Sequence, residues 1–218
     1  MGYNVAIDGP AGAGKSTIAK LVAKEKGYIY VDTGAMYRGM AIHFLYKGIR
    51  AEETDKIVNA LKDAEVTIRY EEGLQQVYLN GRNITDRLRE EAVGKMASLT
   101  SAIPQVRQKL LELQKGLART QDVIMDGRDI GTCVLPDADV KIYLTASVET
   151  RAKRRYDELT EKGIACDLNE IARDIKERDE RDSTREIAPL KQAEDAVLVD
   201  SSHMTIEEVV AAIVKLCR

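Results

Sequence analysis

A parallel β-sheet layered with helices is the fold this sequence predicts, and three observations carry the prediction. Short apolar runs recur along the chain: "NVAID" (4–8), "YIYVD" (28–32), "DVIMD" (122–126), "VKIYL" (140–144) and "AVLVD" (196–200). They are continuously apolar rather than alternating, as strands buried on both faces are. Amphipathic stretches separate them, and strands alternating with helices imply right-handed βαβ units in an α/β architecture. Four of the five runs end in aspartate. Polar groups therefore gather at the carboxyl edge of the sheet, where open α/β sheets bind their ligands.

The elements follow in order. "KSTIAKLVAKEKG" (15–27) reads as a helix stopped by Gly27. "VTIRYEEGLQQVYLNGRNI" (66–84) breaks the rhythm: it alternates at period two and carries Glu-Gly and Asn80-Gly81 turn signals. That is the pattern of a small antiparallel meander inserted into the α/β core. Arg151 to Arg185 is long, helical and densely charged, with Gly163 as a break, and has the character of a lid. "DSSHMTIEEV" (200–209) combines a loop with a helix N-cap at Ser or Thr. A single domain is expected, with a core of about 1–32, 104–150 and 186–218, an inserted region of about 33–103 that includes the meander, and a lid of about 151–185.

Bulk properties narrow the function. The 218 residues carry 33 Lys+Arg against 36 Asp+Glu, a net charge of -3, which argues against a general nucleic-acid binder. Three scattered cysteines, Cys133, Cys166 and Cys217, form no CxxC pair, and only His43 and His203 accompany them. A disulfide framework or zinc site is not expected, and a reducing cytoplasm fits. The first strand begins close to Met1, leaving no room for a signal peptide, and no apolar run is long enough for a membrane span. A cytoplasmic monomer is expected.

The first strand runs into "GPAGAGKST": Gly9, Pro10, Ala11, Gly12, Ala13, Gly14, Lys15, Ser16 and Thr17. The stretch fits G-x-x-x-x-G-K-[ST] between a strand and a helix, the setting of a P-loop. Its glycines let backbone N–H groups turn inward around phosphate oxygens, and the helix N-terminus adds its positive dipole end. Lys15 is expected to reach the β- and γ-phosphates and Ser16 to ligate Mg²⁺. Asp126, ending an apolar strand in "DVIMDGRD", resembles a Walker-B carboxylate that orients the same ion. Neither N-K-x-D nor D-x-x-G occurs, so guanine-specific switch machinery is missing. Arg151, Arg154 and Arg155 fall on one helical face, and so do Arg178, Arg181, Asp182 and Arg185. A solvated helix laced with ion pairs explains such spacings as well as a phosphate-binding lid does. Phosphoryl transfer needs several cations around the transferring group, and closure of an arginine-bearing lid supplies them while excluding water.

"IDGPAGAGKST", "DTGAMYR", "DGRDIGT" and "IKERDERDSTREIAPL", in this order, resemble the bacterial-type cytidylate kinases, within the nucleoside monophosphate kinases. The resemblance covers essentially the whole chain, including the meander. It implies ATP-dependent phosphorylation of CMP, and of dCMP, on a P-loop NTPase-type sheet, with Mg²⁺ as cofactor and no nucleic acid or membrane as partner. Carried over residue by residue, Arg38, Arg128 and Arg185 would hold the CMP phosphate. Arg178 and Asp182 would meet the ribose hydroxyls, and Thr33 would sit beside the nucleotide. Asp129 with Ser98 and Arg107 would read the base. A carboxylate accepts from the N4 amino group of cytosine and repels the O4 of uracil, while an arginine donates to the cytosine acceptors. Lys15, Arg128, Arg185 and Arg154 would be the catalytic set, with Arg151 on the ATP side, and the 200–209 loop would line the adenine. Two other readings stand beside this one: a different small-molecule kinase, or a slowly hydrolysing nucleotide switch.

Overall fold

The computed structural model describes residues 2–218. It divides into two compact units, one formed by residues up to Tyr30 together with Gln121–Arg218, the other by Val31–Thr120.

The first unit holds the parallel sheet. Strands β1 (Asn4–Asp8), β2 (Ile29–Asp32), β6 (Val123–Gly127), β7 (Val140–Thr145) and β8 (Val197–Asp200) lie in the order β2-β6-β1-β7-β8. All five coincide with the five apolar runs. β1 pairs in parallel with β6 on one side and β7 on the other, with Ile7 opposite Asp126 and Ile142, and β7 pairs in parallel with β8. β2 joins at the edge, where the Ile29 N–H donates to the Asp122 carbonyl at 2.9 Å. The central position of β1 explains its composition: Val5, Ala6 and Ile7 are completely buried. Helix α1 (Lys15–Lys26) covers one face through Ile18, Ala19, Val22 and Ala23, and ends at Gly27, as expected. Helix α8 (Ile206–Val214) packs Val209 and Ile213 into the same core. Its N-cap is Thr205, which forms a reciprocal capping box with Glu208. The charged segment forms α6 (Val148–Glu161) and α7 (Leu168–Thr184), broken at the left-handed Gly163. Its helix starts three residues before the predicted 151, because Ser147 caps the Thr150 N–H.

The second unit is built on α2 (Thr33–Tyr46), with Met36, Met40, Ala41, Ile42 and Phe44 buried. Asp32 caps it, its side chain accepting the Ala35 N–H at 2.9 Å. His43 is buried with Nε2 3.0 Å from the Ala60 carbonyl, a packed histidine as the sequence suggests. The meander forms as read: β3 (Val66–Glu71), β4 (Leu74–Leu79) and β5 (Arg82–Asn83), an antiparallel sheet with left-handed turns at Glu72-Gly73 and Asn80-Gly81. Helices α3 (Thr54–Ala60), α4 (Glu91–Thr100) and α5 (Pro104–Thr120) complete the unit. The expected inserted region stops at 103, but the compact unit runs to Thr120. The reason is the buried stripe Val106, Leu110, Gln114 and Ala118, which seats α5 with α2 rather than with the parallel sheet.

Candidate active site

The phosphate loop, Gly9–Gly14, links β1 to α1 at the carboxyl edge of the sheet. Gly9 has a φ of 147°, and a Cβ there would overlap the Leu144 carbonyl, so no other residue permits this exit from the strand. Gly14 caps α1 without a side chain, leaving the first-turn N–H groups facing the loop. Lys15 is buried, and its Nζ donates to the Pro10 carbonyl at 2.7 Å, folding the ammonium back over the loop. Burial pushes this ammonium well below its ordinary pKa; the nearby Arg128 guanidinium acts in the same direction, and Asp126 and Asp8 oppose both. A cation held this way is primed to gain from a bound polyphosphate, which restores the missing counter-charge.

Ser16 and Asp126 converge, the hydroxyl donating to Asp126 Oδ2 at 2.8 Å, while the Tyr30 hydroxyl donates to Oδ1 at 3.1 Å. A hydroxyl and one carboxylate are hard oxygen donors, the set that suits Mg²⁺ when substrate phosphates and water supply the other ligands. No group of three or more His, Cys, Asp or Glu suited to a metal occurs among the described residues. The two-residue donor set therefore fits a metal that arrives with its nucleotide.

Arg151 is 4% exposed and ties the lid helix to the loop. Its Nε donates to the Ala146 carbonyl and Nη1 to the Ala11 carbonyl, both at 2.9 Å, while Nη2 meets Asp179 Oδ2 at 2.6 Å. Arg154 turns elsewhere: Nη1 donates to the Ser201 hydroxyl and Nη2 to the Ser201 carbonyl. It thus supports the 200–209 loop. Arg155 is exposed and pairs with Glu158 three residues on, so for this member the solvated-helix reading holds.

The turn after β6 carries Arg128 and Asp129. Arg128 Nε donates to Asp182 Oδ2 at 2.9 Å, and Arg185 Nη2 lies 3.4 Å from Asp129 Oδ1, so α7 and its C-terminal residue meet this turn through two arginine–aspartate pairs. Asp182 and Asp129 are each 5% exposed. Arg185 also donates from Nε to the Ala188 carbonyl at 2.6 Å, and Arg178 is half-buried on α7. Opposite charges 54 and 56 residues apart in sequence thus form one cluster, which the helical spacing of "KERDERDSTR" hinted at without naming partners.

In the second unit, Thr33 is buried at the start of α2, and Arg38 is half-buried one turn later. Arg107 on α5 stacks over the Tyr37 ring at 5.8 Å and donates to the Ser101 carbonyl at 3.4 Å. The Ser101 hydroxyl in turn donates to the Ser98 carbonyl. Ser98 and Arg107, remote on α4 and α5, are thus joined through the short turn at Ser101.

Four contributing residues escaped sequence reading. Tyr30 holds Asp126; Asp179 holds Arg151; Asp8 accepts two N–H groups from the turn after Asp129; and Gln75 of the meander grips the Asp32 backbone. The Gln75 Oε1 accepts the Asp32 N–H at 2.9 Å and Nε2 donates to the Asp32 carbonyl at 3.2 Å. The signal for Asp8 was present, since it is one of the four strand-ending aspartates. Nothing in the local pattern marks Gln75.

A sequence model of the family described as Cytidylate kinase matches residues 5–218. The chain is 51% identical over 213 residues to a cytidylate kinase from Caldicellulosiruptor saccharolyticus, covering 98% of this chain and 94% of that one. It is 49% identical over 212 residues to a cytidylate kinase from Lactobacillus johnsonii, covering 97% and 92%. Among solved structures, an uncharacterized protein from Eubacterium ventriosum shares the fold with a TM-score of 0.54 at 11% identity, covering 98% of this chain and 96% of that one.

Proposed function

This chain belongs to the cytidylate kinase family and catalyses ATP-dependent phosphorylation of CMP to CDP; from that premise we propose which of its residues do the work. The observation that carries the assignment is the charge cluster of the first unit, where Lys15, the Ser16–Asp126 pair and the Arg128–Asp182 and Arg185–Asp129 pairs belong to one sheet edge and its lid.

The γ-phosphate passes in line from ATP to CMP. An oxygen of the CMP phosphate forms a bond to the γ-phosphorus, the bond from that phosphorus to the β–γ bridging oxygen breaks, and ADP leaves with the electron pair. The acceptor phosphate has a second pKa of about 6, so at neutral pH it attacks without a general base. What the protein must supply is charge, alignment and dryness. The loop N–H groups and Lys15 hold the donor phosphates. Ser16 and Asp126 would hold Mg²⁺, which would supply positive charge against the charge that develops during transfer. Arg151 acts on the donor side, and Arg154 supports the adenine loop as well as the transfer.

Arg38, Arg128 and Arg185 take the CMP phosphate, Arg178 and Asp182 the ribose hydroxyls, and Thr33 lies beside the nucleotide. Asp129, Ser98 and Arg107 select cytosine. The Arg185–Asp129 pair suggests how phosphate and base binding cooperate. A phosphate dianion competes for Arg185 with the stronger, bidentate contact of charge-assisted hydrogen bonding. Asp129 then accepts from the cytosine N4 amino group. dCMP is accepted as a second substrate, and the enzyme acts as a cytoplasmic monomer on small molecules alone. The free thiols Cys133, Cys166 and Cys217 suit a reducing compartment.

The test is ADP release from Mg·ATP with CMP, dCMP, UMP, AMP or GMP as acceptor. Turnover is expected with CMP and dCMP and to be much weaker with UMP. Turnover with AMP or GMP and not CMP overturns the assignment, and acceptor-independent ADP release supports a hydrolysing switch instead.

A further inference from the structure

Strand β1 ends in a carboxylate for which the transfer itself has no use. Asp8 is 5% exposed, and its two oxygens accept from two consecutive backbone groups: Oδ1 from the Ile130 N–H at 2.8 Å and Oδ2 from the Gly131 N–H at 2.7 Å. Those two residues follow Arg128 and Asp129 directly and open a wide turn, closed by the Val134 N–H on the Asp129 carbonyl and the Leu135 N–H on the Ile130 carbonyl. Such widened turns recur at functional sites because they re-aim neighbouring side chains. At Gly131 a Cβ would sit 3.2 Å from the Lys141 side chain and 3.4 Å from Asp8 Oδ2, so the backbone is drawn close to the carboxylate.

We propose that Asp8 is a positioning residue for base selection, its carboxylate fixing the turn that aims Asp129. The proposal rests on the reading that Asp129 selects cytosine. Two parallel N–H···O bonds to an anion are about twice as strong as neutral ones and hold the peptide planes in one orientation. An asparagine of the same shape cannot replace them, since its amide would set a donor against one of the two N–H groups. The protein keeps this charge at a cost. Burial pushes the Asp8 carboxyl up to about 6, with the Asp129 charge acting in the same direction; the Gly131 and Ile130 N–H groups and Lys15 pull it back only in part. Tyr143 on β7 also faces it electrostatically, and the Lys141 chain passes over Gly131. A buried charge retained against that cost where a neutral side chain would fit points to a geometric requirement.

The test is a double-mutant cycle of Asp8→Asn and Asp129→Ala, read as the ratio of kcat/KM for CMP to that for UMP. Asp8→Asn is expected to lower the ratio roughly tenfold through misplacement of the reading group. In the Asp129→Ala background it should change the ratio less than about twofold, because the two act as one unit. If Asp8→Asn leaves the ratio intact while Asp129→Ala collapses it, the Asp8 proposal fails and the base reading stands. An undiminished effect of Asp8→Asn in the Asp129→Ala background also overturns it, as a general disturbance. If Asp129→Ala leaves the ratio unchanged, the base reading falls and takes the proposal with it. Should Asp8→Asn not fold, the wild-type ratio between pH 5.5 and 8 decides. CMP and UMP phosphates titrate alike and cancel, so a ratio that declines below about pH 6 supports the proposal, and a flat ratio overturns it.

Discussion

The two units of this chain share exposed local ion pairs but differ in their buried charges. In the unit carrying the phosphate loop, exposed local pairs such as Arg155–Glu158 stand beside buried charged groups that meet partners far along the sequence: Arg151 with the loop carbonyl of Ala11, Arg128 with Asp182, Arg185 with Asp129, and Asp8 with the 130–131 amides. In the Val31–Thr120 unit the ion pairs are local and exposed, such as Lys47–Asp63, Lys56–Glu53 and Arg87–Glu90. Exposed pairs of that kind contribute about 0–1 kcal/mol each. Buried arrays are expensive to assemble and are kept where chemistry needs fixed charges, because electrostatic preorganisation stabilises a transition state without reorganisation. The contrast accords with the proposal that the buried charges of the first unit serve the transfer.

Substitutions can break or sharpen that contrast. Lys15→Met should have the largest effect, lowering kcat by about 10²–10³-fold, as loss of a charge-stabilising donor does, with the thermal midpoint maintained or raised; single-turnover transfer to CMP measures it. Asp8 predicts a pH effect on stability. Its folded carboxyl lies near pH 6 against an ordinary 3.8, so the protein holds fewer protons at this group once unfolded. The penalty is fully present above pH 6 and is relieved as pH falls from 6 towards 3.8, a difference of ~3 kcal/mol at most. The melting temperature of wild type should therefore rise relative to Asp8→Asn as pH is lowered from 7.5 to 5. A constant difference would contradict the buried charge.

Gln75→Ala tests the second unit. It removes both hydrogen bonds on the Asp32 backbone, each contributing about 1 kcal/mol, at the start of the helix that carries Thr33 and Arg38. KM for CMP should rise roughly three- to tenfold, in line with that loss, with KM for ATP unchanged. An equal shift in both constants would make Gln75 a general stabiliser. The smallest effect belongs to Lys47→Ala at the exposed Lys47–Asp63 pair. Urea unfolding should change by less than about 0.5 kcal/mol, and a larger loss would mean that surface pairing matters in this unit after all.

Much of the fold was legible because its signals are local. Five apolar runs became the five strands, the Asn80-Gly81 turn closed the meander, and Gly163 broke the charged helix. The phosphate loop was equally legible, since glycines, lysine and serine must stand at fixed spacing between strand and helix. The compact unit extends past 103 because α5 is amphipathic in a way that suits either layer; the partner of its Val106–Leu110 stripe is a tertiary fact. The lid arginines show the limit most clearly. Arg151, Arg154 and Arg155 have equivalent helical spacing, yet one grips the phosphate loop, one the Ser201 loop, and one only Glu158.

By itself, then, the sequence determined the elements, the donor loop and the family, each of which depends on residues close together or in fixed order. Tertiary structure alone decided which aspartate neutralises which arginine, that Asp8 reaches across from β1 to the turn after β6, and that Gln75 of the meander holds the start of α2. Those are contacts between residues 28 to 123 apart. Hydrophobic periodicity specifies which face of an element is buried, but it carries no information about which polar partner waits there.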